Sequence, residues 1–429
     1  MRSRLRAGAL PLMLALAAAS CARIPPPRPP QPPPAQVAPG PFVLKGEPFI
    51  RIGLAWDLDS VVVTGGLRVL VPNSADSDRV IDGIKIGIAP TGLVFGNPGD
   101  RVPPIPFTGD TLTIRPERGT LRWNGKTWRG SLRVFLNPRG KLTLVDELPL
   151  ETYLLGVVPT EIGGLTKELI EAGRAQAIAA RSYTLFYLGR RASEGFDLYG
   201  TVEDQLYGPV ESERPLAGQC VSDTRGEIAF YGDGPIRANY CSTCGGITAE
   251  VREAWPTPFV PYLESRRDDG GGGDFCAAAP QYRWRERWTA AEFLGNVERF
   301  APMQGIGIPA DTLGDLLDVR VAARSVSGRV WRLLVRTTAG DVAIPAYSIR
   351  QVLRRGGQPD AILRSNLFKI DVRRDPATGS AIEVVASGAG AGHGVGLCQT
   401  GALGMARAGV SAEHILEHYY PHAVVERRY

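Results

Sequence analysis

The sequence predicts an α+β fold: a β-rich N-terminal unit, then a mixed domain with one long helix packed on antiparallel strands. Three observations predict it. Short β-type runs broken by Gly, Asp and Asn fill residues 45–138. A single Ala-rich helical stretch follows at residues 166–191. Strand-like runs then return at residues 220–265 and 316–385.

A chain of 429 residues is long enough for two or three domains with a substantial core. Its 44% apolar and 22% charged residues are ordinary for a globular protein. The net charge of +5 is small, and only six of the 49 basic residues are Lys. The Arg excess is scattered, with no basic stripe, so no nucleic-acid partner is expected.

At the N-terminus, Arg2, Arg4 and Arg6 precede an apolar run at residues 7–20, too short to span a bilayer. Small residues then lead to Cys21. The run Ala18-Ala19-Ser20-Cys21 resembles a bacterial lipoprotein cleavage box, with Ala18 where Leu is preferred. Residues 1–21 are thus expected to be a signal peptide and Cys21 its lipidation site; cleavage near Ala19 is the alternative. An exported protein of the cell envelope or periplasm follows, touching the membrane only through an N-terminal lipid. No later segment holds eighteen consecutive apolar residues. The Pro-rich residues 22–44 form a semi-rigid spacer, because proline fixes φ and removes donors.

The β-rich unit at residues 45–138 contains FIRIGLAW, SVVVTG, LRVLVP, DTLTIRP and GSLRVFLN, with turn residues between them. A mixed domain is expected over residues 139–429. KLTLVDELPLETYLLGVVPTE reads as a strand and a short amphipathic helix, after which Thr166 is a candidate N-cap for the long helix. Residues 316–385 form a strand-rich insert. A glycine-dense segment, GAGAGHGVGLCQTGALG, precedes a last helix from about Ser411 to Tyr419.

Glu161 is expected in a loop among apolar and small residues, where desolvation raises a carboxyl pKa toward what a general acid needs. Arg174 and Arg181 are seven residues apart and share a helix face. Two guanidinium groups on an apolar face need a carboxylate or an anionic ligand. The plain structural reading is a Glu–Arg ion pair holding loop to helix.

The run LPLETYLLGVVPTEI followed by RAQAIAARSY resembles the family of the sporulation stage II protein D and the amidase enhancers. FDLYGTVEDQLYGPV, TRGEIAFYGDGPIRANYCSTCGG, PYLESRRDD, LRSNLF and GHGVGLCQTGALGMARAG match it in order, over about residues 110–429. The resemblance implies a lytic transglycosylase acting on peptidoglycan glycan strands stripped of stem peptides. Glu161 would be its catalytic acid and base. Arg174, Gln176, Arg181, Tyr183, Gln205, Tyr207, His393 and Gln399 would bind substrate; Arg174 stands where relatives often carry Lys. The other reading is a non-catalytic glycan binder that stimulates a cell-wall amidase, as enhancer members are thought to do.

Six cysteines complete the inventory. In an oxidising compartment Cys244 and Cys276 are candidates for a disulfide. Cys241, Cys244 and Cys276 are the alternative, a zinc site lacking a fourth ligand; otherwise no cofactor is expected. Cys220 reads as a buried thiol. A Cys398–His393 thiol pair is a minor alternative, and His414 and His418 read as core or surface histidines.

Overall fold

The computed structural model describes residues 42–70, 80–90, 92–99, 105–107 and 110–429. The expected signal peptide, Cys21 and most of the Pro-rich spacer lie outside the described residues.

Nine strands are β1 (Phe49–Leu58), β2 (Val61–Leu70), β3 (Val80–Ala89), β4 (Gly92–Gly96), β5 (Ile105–Phe107), β6 (Thr111–Pro116), β7 (Thr120–Trp123), β8 (Lys126–Arg129) and β9 (Ser131–Leu136). Two more, β10 (Leu142–Pro149) and the short β11 (Leu198–Tyr199), join them in one sheet. Its order is β11-β1-β10-β9-β6-β2-β3-β4-β5, with β7 on β2 and β8 on β7. Every pair is antiparallel except β1 with β11.

The domain boundary expected after residue 138 therefore falls inside this sheet. β10 pairs with β1 on one side and β9 on the other. Leu142 and Leu144 of β10 belong to the core of the N-terminal strands, while Leu148 belongs to the core around the helices. One strand is thus shared, because both faces of LTLVDELP are covered.

Helix α1 (Leu150–Ile162) follows directly, and Glu161 sits in its last turn rather than in a loop. The helix is buried nearly all round and not amphipathic as expected. Helix α2 (Ile170–Phe186) is shorter than the expected residues 166–191. A 3-10 turn at Lys167–Leu169 precedes it, the Thr166 side chain caps nothing, and the chain turns away by Gly189, at φ 78. Its small residues permit close approach: a Cβ on Gly173 would meet the Cys220 sulfur at 2.5 Å. That sulfur lies on α3 (Pro215–Asp223).

A second core begins at Arg283, earlier than the insert expected at residue 316. The strand Arg283–Thr289 alternates exposed and buried residues, turning Trp284, Glu286 and Trp288 inward. It pairs with Ala381–Ala389, which pairs with Phe368–Arg374. Helix α4 (Ala290–Phe300) is started by a capping box of Thr289 and Glu292. A three-stranded meander at Leu316–Arg324, Val330–Thr337 and Gly340–Pro345 follows, then α5 (Ala346–Val352). The lobe enters and leaves side by side: Arg283 is opposite Ala389, and the Gly390 N–H donates to Gln281 O at 3.0 Å.

The chain then returns to the first core. Leu397–Cys398 pairs in parallel with Tyr240–Cys241, followed by α6 (Gln399–Arg407) and α7 (Ala412–Tyr419). Ser411 caps α7 through its side chain, and the helix lies where the sequence indicated.

Candidate active site

Glu161 is held by neutral groups. Its Oε1 accepts the Leu206 N–H at 2.7 Å, and its Oε2 accepts Gln399 Nε2 at 3.3 Å. The Tyr240 hydroxyl, which donates to Gln205 Oε1 at 2.9 Å, is near enough to this carboxyl to lower its pKa. Burial is the largest influence on Glu161 and raises its pKa above the ordinary carboxylate range; Leu206, Gln399 and Tyr240 only partly offset that.

Glutamines and a tyrosine form the scaffold behind it. Gln399 also donates to Gln176 Oε1 at 3.4 Å, from the first turn of α6 to the middle of α2. Gln176 is fully buried, which makes it a support for Gln399 and not a surface for a ligand. Gln205 is also fully buried and donates to Thr184 Oγ1 at 2.7 Å and to the Tyr153 hydroxyl at 3.3 Å. Tyr183 stacks near Tyr187 and Tyr240, at 4.6 and 6.2 Å between ring centroids. Gln176, Tyr183, Gln205 and Gln399 thus lie together beside Tyr240 and Glu161.

Three others do not. Arg181 is fully buried and grips Glu151 with both arms, Nε to Oε1 at 2.8 Å and Nη2 to Oε2 at 2.7 Å. Glu151 stands ten positions before Glu161, about 15 Å along α1. Arg181 therefore closes the Glu–Arg pair of the plain structural reading, with Glu151 as its carboxylate. Arg174 pairs with Asp223 at 2.6 Å and with Glu171. The Tyr207 hydroxyl donates to the buried Asp146 at 3.0 Å, and its ring packs against Tyr153 and Trp128. All three serve the framework.

His393 lies further along. Its Nδ1 accepts the Val395 N–H at 3.0 Å, and its ring is 4.8 Å from that of Trp255. Burial, aided by the nearby Arg350 and Arg237 charges, holds its pKa down at about 3, so the imidazole is neutral. It is a hydrogen-bonding wall, not a cation. The surface histidine His414 bonds Ser411 at 2.8 Å, while His418 packs against Phe275 and Tyr419.

Tyr240, Tyr187, Arg237 and Trp255 are neighbours that sequence reasoning missed. Tyr240 read only as a strand residue before CSTCGG. Its approach to Glu161 depends on the parallel pairing of Tyr240 with Leu397 across 157 positions, which no local pattern encodes.

The thiols gather in one buried place. Cys244 and Cys276 sulfurs are 3.7 Å apart and unbonded, so the expected disulfide is not formed. One donor atom each from Cys244, Asp268, Cys276 and Cys398 lies within 4.8 Å of the others. The zinc set read from sequence thus loses Cys241 and gains Cys398 and Asp268. The 3.7 Å sulfur spacing matches the roughly 3.8 Å edge of a tetrahedron with Zn–S bonds of about 2.3 Å. Burial works to raise the Cys398 thiol, but hydrogen bonds from the Cys241, Cys244 and Cys276 thiols prevail and hold it well below its ordinary value. Cys398 is also the N-cap of α6, accepting the Gly401 N–H at 3.3 Å. This placement serves the fold of the GLCQTG segment and leaves no Cys398–His393 pair.

A wider cleft in the second lobe, between Ala290, Leu316 and Arg374, shares no lining residue with the Glu161 cluster.

Comparison with known proteins finds relatives over most of the chain. The family profile described as Stage II sporulation protein matches residues 138–231. A second profile, a domain of unknown function, matches residues 274–396 and so coincides with the second lobe. An uncharacterized protein of Brachyspira hyodysenteriae is 28% identical over 342 residues, 78% of this chain and 77% of that protein. Stage II sporulation protein D of Bacillus subtilis is 28% identical over 291 residues, 64% of this chain and 74% of that protein. The amidase enhancer of Bacillus subtilis is 26% identical over 345 residues, 73% of this chain and 46% of that protein. The stretch at residues 138–231 that matches the Stage II sporulation protein family contains Glu161, and the chain is similar over most of its length to a stage II sporulation protein D and an amidase enhancer.

Proposed function

We propose that this protein works on the bacterial cell wall as a peptidoglycan lytic transglycosylase. The observation that carries the proposal is Glu161 itself, a shielded carboxyl whose hydrogen-bond partners are all neutral. Such a group keeps a proton at a pH where exposed carboxyls have lost theirs.

The chemistry needs one carboxyl. Protonated Glu161 donates to the oxygen linking N-acetylmuramic acid C1 to N-acetylglucosamine; that C1–O bond breaks and the leaving sugar carries the proton away. The muramoyl 6-hydroxyl then attacks C1, and the Glu161 carboxylate takes its proton, which closes the 1,6-anhydro ring and restores the acid. Neither water nor a second carboxylate takes part, unlike hydrolytic glycosidases. Gln399 and the Leu206 N–H fix the orientation of the carboxyl throughout.

Glu161→Gln is the decisive variant. On amidase-treated sacculi it should release 1,6-anhydro ends about 10²–10⁴-fold more slowly. Release at the normal rate by a folded variant sinks the proposal. The likeness to an amidase enhancer supports a second reading, in which the protein grips glycan and stimulates an amidase without cutting. Amidase stimulation with no anhydro ends from the unaltered protein establishes that reading.

Two further proposals accompany this one. The cluster of Cys244, Asp268, Cys276 and Cys398 holds a structural zinc ion, which when bound would close four positions and pin the GLCQTG segment to the CSTCGG turn. The protein is exported and anchored by a lipid on Cys21. Metal analysis of purified protein, and membrane fractionation of Cys21→Ala, test them.

A further inference from the structure

Nearly every guanidinium close to the first core has a carboxylate. Arg51 pairs with Asp197, Arg129 with Glu213, Arg174 with Asp223, Arg181 with Glu151 and Arg266 with Glu264. Arg237 does not: among the described residues no carboxylate lies within ion-pair distance of it. Its side chain meets only rings, the guanidinium carbon lying 4.7 Å from the Trp255 centroid and 5.8 Å from that of Tyr187. Its Nε is buried with no hydrogen-bond partner. The residue is fixed nevertheless, since its backbone N–H donates to the Tyr262 hydroxyl at 3.0 Å. A half-buried cation with unused donors is unfavourable unless something anionic arrives to meet it.

Its place in the fold says where that anion sits. Arg237 is three residues before Tyr240, at most about 10 Å along the chain, and Tyr240 is a neighbour of the Glu161 carboxyl. The Arg237 charge is felt at Tyr183, Tyr187 and His393. It is not among the influences on Glu161. The cation is thus close enough to touch a sugar adjoining the cut and too far to strip the acid of its proton.

We infer that Arg237 is a specificity residue that binds the free lactyl carboxylate of N-acetylmuramic acid, and so selects glycan from which the stem peptide has been removed. This deepens the proposed function and rests on the reading of the surface as a glycan site. The lactyl group ends in an amide when a peptide is attached and in a carboxylate when it is not. A guanidinium grips a carboxylate in a two-pronged bond and offers an amide no charge. Trp255 and Tyr187 displace water around the guanidinium and strengthen that bond.

The test compares binding of full-length protein to soluble amidase-treated glycan with binding to the same strands after their carboxyls are converted to primary amides. The unaltered protein should bind the carboxylate form at least about tenfold more tightly, a preference that shrinks with added salt. Arg237→Gln should bring the ratio near one, and Arg237→Lys should keep part of it. Equal binding of the two polymers by the unaltered protein overturns the inference while leaving the glycan reading intact, and no variant has to fold for that result. A preference kept in Arg237→Gln overturns it as well. Binding of neither polymer overturns the glycan reading and this inference with it.

Discussion

The Glu161 carboxyl is poised by what surrounds it and by what is missing. Burial raises its pKa, and no cation stands close enough to pull it back. The active form is the protonated one, so glycan cleavage should fall as pH rises through that elevated value. A Gln399→Lys substitution would place a charge where Gln399 Nε2 now lies, 3.3 Å from Glu161 Oε2. Its pH–rate profile should shift toward acid by about 1–3 units. Stability follows the same sign. A raised carboxyl contributes stability below its unfolded-state pKa and loses it as pH climbs through the folded-state value. Glu161→Gln should therefore melt higher than the unaltered protein at pH 8 and no higher at pH 4; the reverse order in a thermal scan refutes the assignment of burial as the cause. The sequence made this residue legible, because apolar and small neighbours flank it. It misled on Arg174 and Arg181: seven-residue spacing places two side chains on a face without saying what that face meets.

At the level of elements, what joins α1 to α2 is the ion pair between Glu151 and Arg181. Glu151 also accepts the Tyr429 hydroxyl at 2.6 Å and the Gly226 N–H at 3.3 Å, so one carboxylate ties four segments together. Burial works to raise its pKa, but the bonds to Arg181 outweigh this and hold it below the ordinary range. Arg181→Ala strands that charge and should cost about 3–5 kcal/mol in urea unfolding, whereas the double variant Glu151→Leu, Arg181→Met should recover most of it. Arg174→Ala, at a solvent-facing pair, should cost no more than about 1 kcal/mol. Strands were the most readable elements, since alternation survives in runs such as RWRERWT. Helix ends were less so: Thr166 has the chemistry of a cap, but a 3-10 turn intervenes and its side chain goes unused.

For the molecule as a whole, the buried Arg329 and Ser327 side chains couple the two cores. Arg329, on the turn after Leu316–Arg324, donates to Cys244 O at 2.9 Å and Ile247 O at 3.0 Å in the first core, and Ser327 beside it bonds Glu253. Arg329→Met leaves two buried carbonyls without donors and should cost about 3 kcal/mol. Calorimetry should then resolve two transitions where the unaltered protein shows one; a single transition at an unchanged temperature rules out the coupling. None of this was readable from sequence, since Arg329 and Cys244 stand 85 positions apart and their contact depends on the packing of two lobes.

The side-by-side passage of the chain at Arg283 and Ala389 has a practical corollary. Whatever happens to the length of the polypeptide beyond that neck, the gap it must bridge at the neck stays the same. An epitope tag spliced between Pro376 and Ala377, both at the surface, should be carried as passive cargo, detectable by antibody on the folded protein.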